Sequence, residues 1–294
     1  MNAIIRFVPN LFTLGNVLMG FLAIIFIANE RMLSAVVCIG IALVLDFLDG
    51  FVARLLHAQS ELGKQLDSLA DAITFGVVPG FILFQMIVIT KGYYFVEINE
   101  WPFPVLLQAS VAGLVPMAAV FRLATFNIQD GHQDHFLGLP TPAMTMFVVS
   151  IPLMLEANYH LNFYHPLSDQ FIQVLGEIRK WDASDMWLVA LLNETITYQI
   201  IALILAVLLV SRIPMLSLKF KGITWALNKW RYFLIGWALV CYVIFLIPYF
   251  WKLPINYGLI DYLILPIFMI GYFILSFIYA TFGGSKETQL KDEV

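Results

Sequence analysis

The residues most able to do chemistry lie in one stretch, DFLDGFVARLLHAQSELGKQLDSLADA, which starts at position 46. It contains four aspartates: Asp46, Asp49, Asp67 and Asp71. Side chains three, four and seven residues apart share one face of a helix. The first pair of aspartates therefore lies on one stripe with Gly50 and Ala53, and the second pair lies with Gly63, Ala70 and Thr74. Small residues in both stripes leave open space beside the carboxylates.

The elements that must position these aspartates are membrane helices. The chain has 294 residues, of which 61% are hydrophobic and 12% charged, and its mean hydropathy is +0.86. Soluble domains carry roughly 25% charged residues, so a soluble globule is excluded. A net charge of −4 provides no basic field for nucleic acid. Cys38 and Cys241 lie inside apolar runs and predict neither a disulfide nor a zinc site.

Eight apolar runs approach the ~20 residues that a membrane-spanning helix needs. They are Phe7 to Ala28, Leu33 to Leu56, Leu66 to Thr90, Val105 to Asn127, Ala143 to Tyr159, Thr195 to Leu216, Tyr232 to Trp251 and Leu259 to Ala280. We therefore predict an all-α, polytopic membrane helix bundle of about eight transmembrane helices. Eleven lysines and arginines fall on the side of the termini and five on the other side. This distribution favours an N-in/C-in orientation, with the connection His160 to Glu194 outside.

Four carboxylates at the ends of two adjacent spans need a counter-charge. An ionised group at the centre of a membrane helix costs about 2.5–3.5 kcal/mol, and such groups face the bundle interior with a partner. Antiparallel packing of the two helices would bring both carboxylate pairs face to face. Ligands that are all carboxylate oxygens suit Mg²⁺ or Mn²⁺, and two ions would clamp a pyrophosphate for in-line displacement at phosphorus. Arg54 could pair with a phosphate oxygen.

The same stretch resembles the signature of the CDP-alcohol phosphatidyltransferase family. That signature is D-x₂-D-G-x₂-A-R, then eight residues, then G-x₃-D-x₃-D, and every specified position is present here. The resemblance implies that Asp46, Asp49 and Asp67 are metal ligands and that Asp71 is both a ligand and the general base. It also implies a group of CDP-diacylglycerol contacts. These are Gly50, Ala53, Arg54, Ser60 and Gly63, together with Asn10 and Thr13. The last two belong to the N-terminal PNLFTLGN, which also looks like the family. Asn16 of the same segment could face the same groove.

A second stretch, FRLATFNIQDGHQDHFLGLPTPA from Phe121 to Ala143, resembles the serine-using members of this family. The resemblance implies transfer of a phosphatidyl group from CDP-diacylglycerol to L-serine, with release of CMP. We expect Arg122 to bind the serine carboxylate and Asn127 to donate a neutral hydrogen bond. A homodimer, a bacterial inner (plasma) membrane and an active site that faces the cytoplasm are further expectations.

The expected organisation has three parts: a six-span catalytic bundle over 1–216, two additional spans over 217–282 and a disordered tail over 283–294. Alternatives stay open at this stage. The acceptor alcohol could be glycerol phosphate or inositol phosphate, although those acceptors need extra basic residues. An intramembrane prenyltransferase also uses aspartates and Mg²⁺, but on separated motifs. A cation transporter could use the carboxylates as its transport site.

Overall fold

The computed structural model describes residues 3–29, 31–128, 136–159, 168, 172–174, 177, 183–216, 225–251 and 260–282. Within them the first half of the chain forms six α-helices. These are α1 (Ala3–Ala28), α2 (Met32–Leu55), α3 (Glu61–Asp71), α4 (Val78–Thr90), α5 (Phe103–Ser110) and α6 (Leu114–Ile128). A π-helical segment, Ala72–Val77, joins α3 to α4, and a 3₁₀ turn, Val111–Gly113, joins α5 to α6. A second 3₁₀ turn, Ile98–Glu100, lies in the connection before α5.

Five longer helices and two short strands lie in the described part of the second half, besides a few helical residues at 172–174 and 177. The helices are α7 (Thr141–Tyr159), α8 (Ala183–Leu192), α9 (Thr195–Val210), α10 (Trp225–Trp251) and α11 (Ile260–Phe282). The strands β1 (Phe136–Leu137) and β2 (Pro214–Met215) pair antiparallel, with Phe136 opposite Met215 and Leu137 opposite Pro214.

The predicted all-α membrane bundle is confirmed, and each of the eight predicted spans overlaps one helix or a run of consecutive helical segments. Four spans in the described part are long and apolar enough to cross a membrane: Phe7–Ala28, Met32–Leu55, Glu61–Thr90 and Phe103–Ile128. The pair Met186–Leu192 and Thr195–Val210, bent by 71°, can form a fifth. Thr141–Leu155 and Pro266–Tyr279 are apolar but shorter. The structure therefore does not confirm the count of eight, and the N-in/C-in orientation stays a prediction.

One boundary in the second half was wrong. The sixth span does not run to Leu216, because α9 ends at Val210 and the chain then enters β2. The connection over residues 160–194 contains α8, and its position outside the membrane stays a prediction. Most of residues 160–182, residues 217–224 and the predicted tail 283–294 lie outside the described residues.

The side chains of α1 divide into two stripes, which explains how this helix sits in the bundle. Large apolar side chains at spacings of three and four residues are exposed: Leu11, Leu14, Leu18, Phe21 and Ile25. The opposite stripe is buried and contains Asn10, Thr13, Asn16, Ala23 and Ile27. An exposed apolar stripe of this kind fits contact with lipid. Polar groups inside a membrane protein face the bundle, and those of α1 do so here.

The third predicted span forms the centre of the bundle and changes helix type along its length. Its α4 part is buried almost throughout, with Val78, Ile82, Leu83 and Ile87 completely inaccessible. Between α3 and α4, the π-helical segment inserts wider turns after Asp71. The sequence predicted one regular helix here. Single π turns within α-helices often occur at functional sites.

Glycines let the neighbouring helices approach this central span. A Cβ added to Gly20 of α1 would collide with Thr74 Oγ1, and the Thr74 hydroxyl donates to the Asn16 carbonyl at 3.2 Å. A Cβ at Gly80 would lie 2.6 Å from Cδ of Pro116 on α6. Without a hydrophobic driving force between helices in lipid, such close packing is a main source of helix association.

The β1–β2 pair ties the segment before α7 to the segment after α9. Gly138 follows β1 with a φ of +74° and donates its N–H to the Ile213 carbonyl at 3.0 Å. The Leu139 N–H donates to the Leu208 carbonyl at 2.9 Å. A side chain at 138 would strike the Leu209 carbonyl, so only glycine fits this turn. The start of α7 is thereby fixed against the end of α9.

Replacing Gly20 with alanine should destabilise the bundle, because the added methyl group meets Thr74 at the contact between α1 and the π-helical segment. We expect the free energy of unfolding to fall by about 1–3 kcal/mol, as for other overpacked sites. Thermal unfolding in detergent, followed by circular dichroism, measures the change. Gly40→Ala is the matched control, since a Cβ there meets nothing within 4 Å. Equal stability of the two variants would contradict the packing argument.

Candidate metal and nucleotide site

Three of the four aspartates converge where α2 and α3 face each other. One carboxylate oxygen from each of Asp46, Asp49 and Asp67 lies within 4.8 Å of the other two. Asp49 is only 7% exposed. Three carboxylates this close repel one another unless a cation lies among them. The ligand set is oxygen only, and it suits a hard divalent cation.

Asp71 lies beside this group but is not one of the three converging carboxylates. Its side chain contacts that of Asp46 and lies within electrostatic range of Asp67 and Asp49. The Asp71 Oδ1 atom is buried and has no hydrogen-bond partner among the described residues. A buried, unpartnered carboxylate oxygen is costly, and this one is available to a ligand. The structure thus separates Asp71 geometrically from the other three.

Helix α1 supports the acidic group from the side. The Thr13 hydroxyl donates to Asp49 Oδ2 at 2.6 Å, a short bond of the charge-assisted kind. Asn16, one turn further along α1, is completely buried, and both of its amide atoms lack a partner among the described residues. Asn10, one turn before Thr13, is 6% exposed. Three polar side chains of α1 therefore lie on the helix face that meets α2 and α3.

A cavity of about 550 Å³ opens next to the aspartates. Asp49 and Asp67 line it, so the acidic group forms part of its wall. All seven residues predicted to contact CDP-diacylglycerol also line it: Asn10, Thr13, Gly50, Ala53, Arg54, Ser60 and Gly63. A cavity of this size is in the range of pockets for small ligands.

Small residues on α2 and α3 keep this cavity open. A Cβ at Gly50 would lie 3.5 Å from an Nη atom of Arg54, so the guanidinium folds back over the glycine at the cavity wall. A Cβ at Gly63 would lie 3.2 Å from Ser60 Oγ and 3.4 Å from Asn10 Oδ1. Ser60 also caps α3, because its Oγ accepts from the Gly63 N–H at 3.0 Å. The N-terminus of α3, a favourable position for an anion, therefore points to the cavity.

The two predicted acceptor residues do not line this cavity and lie in different surroundings. Arg122 on α6 lies within electrostatic range of Asp71, and its Nε atom is buried without a partner among the described residues. Asn127 exchanges hydrogen bonds with the Ser68 hydroxyl, with separations of 2.9 and 3.1 Å. Its amide therefore links α6 to α3. Of the two, Arg122 is the one with a free donor near Asp71.

Sequence reasoning missed several residues of the cavity wall, namely Pro9, Ala58, Gln59, Glu61 and Lys64. Lys64 adds a second cation to that of Arg54. It lies three residues before Asp67 on α3, so helical spacing was a usable signal for it. Pro9 belongs to PNLFTLGN but lies inside α1. Gln59 and Ala58 belong to the turn before α3, where there is no helical periodicity to show which way a side chain points.

These features define a class: an integral membrane helix bundle in which three converging carboxylates, able to hold a cation, lie beside a cavity of ligand size. The model of the CDP-alcohol phosphatidyltransferase family matches residues 6–176. The chain belongs to this family. The matched region contains all four aspartates and the whole cavity wall, and it ends before α8.

Relatives of known name agree with this family. A CDP-diacylglycerol–serine O-phosphatidyltransferase of Helicobacter pylori is 35% identical over 154 residues, which are 52% of this chain and 59% of the relative. The Bacillus subtilis protein of the same name is 35% identical over 144 residues, 49% of this chain and 74% of the relative. An archaetidylserine synthase of Methanothermobacter thermautotrophicus is 29% identical over 171 residues, 56% of this chain and 63% of the relative. The alignment thus spans less than two thirds of the H. pylori protein.

Loss of one converging carboxylate should weaken Mn²⁺ binding by more than the roughly 10–100-fold that is typical of changes outside the ligand shell. Asp67→Asn is the test variant, because Asp67 lies in the group and on the cavity wall. Titration of the purified protein with Mn²⁺, followed by electron paramagnetic resonance, measures the affinity. Glu61→Gln is the control, since Glu61 lines the cavity outside the group. Equal affinity of both variants would argue against the site.

Proposed function

We propose that this protein transfers a phosphatidyl group from CDP-diacylglycerol to L-serine and releases CMP. The observation that carries the proposal is the convergence of Asp46, Asp49 and Asp67 beside a cavity lined by every predicted CDP contact. The serine acceptor is supported by the names of relatives at 35% identity. The proposal includes the reaction, the substrates and the residue roles below.

The residues present fit a divalent cation, Mg²⁺ or Mn²⁺. Asp46, Asp49 and Asp67 would hold it, and Asp71, whose side chain contacts that of Asp46, would share a second ion with them. When bound, such ions neutralise the pyrophosphate and stabilise the charge that develops at the reacting phosphorus. The Thr13 hydroxyl orients Asp49 for this task through its hydrogen bond.

The nucleotide end of the substrate enters the cavity between α1, α2 and α3. Arg54 and Lys64 provide positive charge on its wall, and Gly50 and Gly63 leave the backbone accessible. The acyl chains stay in lipid, beside the exposed apolar side chains Phe47 and Phe51 of α2. The substrate is thus held with its pyrophosphate at the acidic group and its tails outside the bundle.

Asp71 is the proposed general base. Its Oδ1 is buried and free, and it lies beside the acidic group on the side that Arg122 approaches. Asp71 removes the proton of the serine hydroxyl, whose oxygen then attacks the phosphorus that bears the diacylglycerol, and the bond from that phosphorus to CMP breaks. Arg122 binds the serine carboxylate, and Arg54 stabilises the CMP that leaves.

We further propose a homodimer in a bacterial inner membrane, with the site on the cytoplasmic face. The orientation rests on the distribution of lysine and arginine between the connections. Cytoplasmic serine would reach Arg122 and Asp71 from that side. The lipid substrate would arrive by diffusion within the membrane.

The first test is CMP release by the purified protein with CDP-diacylglycerol and Mn²⁺. Separate reactions contain L-serine, glycerol 3-phosphate, inositol phosphate or no acceptor. We expect release that depends on L-serine, because few basic residues are available for a second phosphate. Release that depends on another acceptor would support the phosphatidyl transfer but contradict L-serine as the acceptor. Metal-dependent cation flux in liposomes without CMP release would favour a transporter.

Asp71→Asn should separate chemistry from binding. A lost general base lowers kcat by about 10²- to 10⁴-fold, while CMP binding should stay within a few-fold of wild type because Asp71 is absent from the cavity wall. Single-turnover CMP release and CMP titration measure the two quantities. Asp46→Asn is the comparison, since we expect it to lose Mn²⁺ as well. Full activity of Asp71→Asn would refute its role.

A further inference from the structure

The start of α7 contains a buried hydroxyl group that has no hydrogen-bond partner. Thr141 is the first residue of this helix and is only 1% exposed, and its Oγ1 atom has no partner among the described residues. Burying a hydroxyl without a hydrogen bond is costly. Thr141 does not line the nucleotide cavity either. Its hydroxyl is therefore available to a ligand at a different place in the bundle.

The next buried threonine on α7 shows which part of the bundle this side of the helix contacts. The Thr145 hydroxyl oxygen lies 3.1 Å from the Phe75 carbonyl oxygen and 2.9 Å from the Thr141 carbonyl oxygen. It thus links the π-helical segment to the first turn of α7. Side chains four residues apart share one face of a helix, so the Thr141 side chain lies on the face of α7 that contacts the central span.

Two contacts of α9 show which end of the central span the start of α7 approaches. The hydroxyl oxygens of Thr90, at the end of α4, and Thr195, at the start of α9, are 2.9 Å apart. Near the other end of α9, the Leu208 carbonyl accepts from the Leu139 N–H at 2.9 Å. Because α9 packs against α4, Leu139 lies at the end of the span remote from Thr90. Two residues later, α7 therefore begins at the Asp71 end.

Two contacts between α6 and the central span place Arg122 at the same end. They lie on either side of Asp71, at Gly76 and at Ser68. The residues of α6 that make them are Ala119 and Asn127. Arg122 lies between these two on α6, and the Arg122 Nε and Asp71 Oδ1 atoms are both buried without a partner among the described residues. Together with the Thr141 hydroxyl, three helices therefore bring an unpartnered polar group to this end of the span.

The three groups suit different parts of a small hydroxy acid. Asp71 can accept a hydroxyl proton, and the Arg122 guanidinium can bind a carboxylate. The first N–H groups of a helix have no partner within the helix and carry partial positive charge. At α7, a helix of 19 residues, they lie beside the hydroxyl of Thr141. A carboxylate accepts several hydrogen bonds, so this hydroxyl can share one with Arg122.

We propose that Thr141 and the first turn of α7 bind the carboxylate of L-serine together with Arg122. The Thr141 hydroxyl donates a hydrogen bond to one carboxylate oxygen, and the N-terminus of α7 adds favourable charge. L-serine is thereby held with its hydroxyl toward Asp71. This inference rests on the proposed function. It adds a recognition element for the acceptor that comes from a different helix than Arg122 and Asp71.

The test is the kinetics of Thr141→Val in the full-length enzyme, with L-serine and CDP-diacylglycerol varied separately. Valine resembles threonine in shape but has no hydroxyl. Loss of a hydrogen bond to a charged group corresponds to at least about a tenfold change in affinity. We expect KM for L-serine to rise about tenfold or more, while KM for CDP-diacylglycerol stays within about twofold of wild type. Thr141→Ser keeps the hydroxyl and should retain the wild-type KM for L-serine.

Thermal stability and a matched control separate substrate binding from a structural role. Removing a buried hydroxyl that has no partner does not weaken the free protein, so the thermal midpoint of Thr141→Val in detergent should equal or exceed that of wild type. Ser150→Ala is the control. It removes another buried hydroxyl from α7, more than two turns further along, where Ser150 donates to the Phe147 carbonyl at 2.6 Å. This variant should keep the wild-type KM for L-serine.

The outcomes separate this inference from the function on which it rests. If wild type releases CMP in response to L-serine but Thr141→Val keeps the wild-type KM for L-serine, the inference is overturned and the function stands. An equal rise of this KM in Thr141→Ser or Ser150→Ala would assign the effect to the packing of α7 and would also overturn the inference. Absence of serine-dependent CMP release by wild type overturns both. If Thr141→Val does not fold, Thr141→Ala removes the same hydroxyl and is judged by the same KM.

Discussion

Carboxylates that converge inside a membrane protein repel one another, and here three of them have oxygens within 4.8 Å. The surrounding helices are arranged to make that proximity tolerable. α1 presents its polar stripe to the acidic group and its apolar stripe outward, so a hydroxyl reaches Asp49 without exposure to lipid. The glycines of α2 and α3 leave a cavity next to the charges. In the proposed function, a bound divalent cation would relieve the repulsion between these carboxylates.

The rest of the bundle keeps the two acidic helices in register. The completely buried residues of α4 anchor the C-terminal half of the third span in the bundle. Gly20, Gly76 and Gly80 allow α1 and α6 to approach this span closely. The β1–β2 pair connects the start of α7 with the end of α9, and α11 holds the residue after β2 through Tyr272 and Ser276. Contacts therefore run from the last helix to the helices around Asp71.

Much of the site could be predicted because its signal is local. The aspartates and glycines between positions 46 and 71 lie on two adjacent helices joined by a short turn, so helical spacing alone places them face to face. Asn10 and Thr13 were predicted from a motif, and they line the cavity. The hydrogen bonds that join Tyr272 and Ser276 to Leu216 could not be predicted, since hydropathy carries no information on which segments meet across 56 to 60 positions. Asn127 was predicted to bind the acceptor, but nothing in the sequence showed that its side chain would instead form hydrogen bonds with that of Ser68. The exit from α9 at Val210 was missed because Pro214 and its neighbours continue the apolar run.

The π-helical segment after Asp71 has a consequence for the two helix faces that it joins. A residue occupies about 100° of an α-helical turn, so a wider turn between α3 and α4 shifts the angular phase of everything on one side relative to the other. The acidic face upstream and the packing face downstream therefore differ in angular phase from what one regular helix would give, although they share one continuous span. The π-helical segment lets the aspartates of α3 face α2 while the buried residues of α4 face the bundle core. Its conversion to regular α-helical turns would rotate one of these two faces away from its partners.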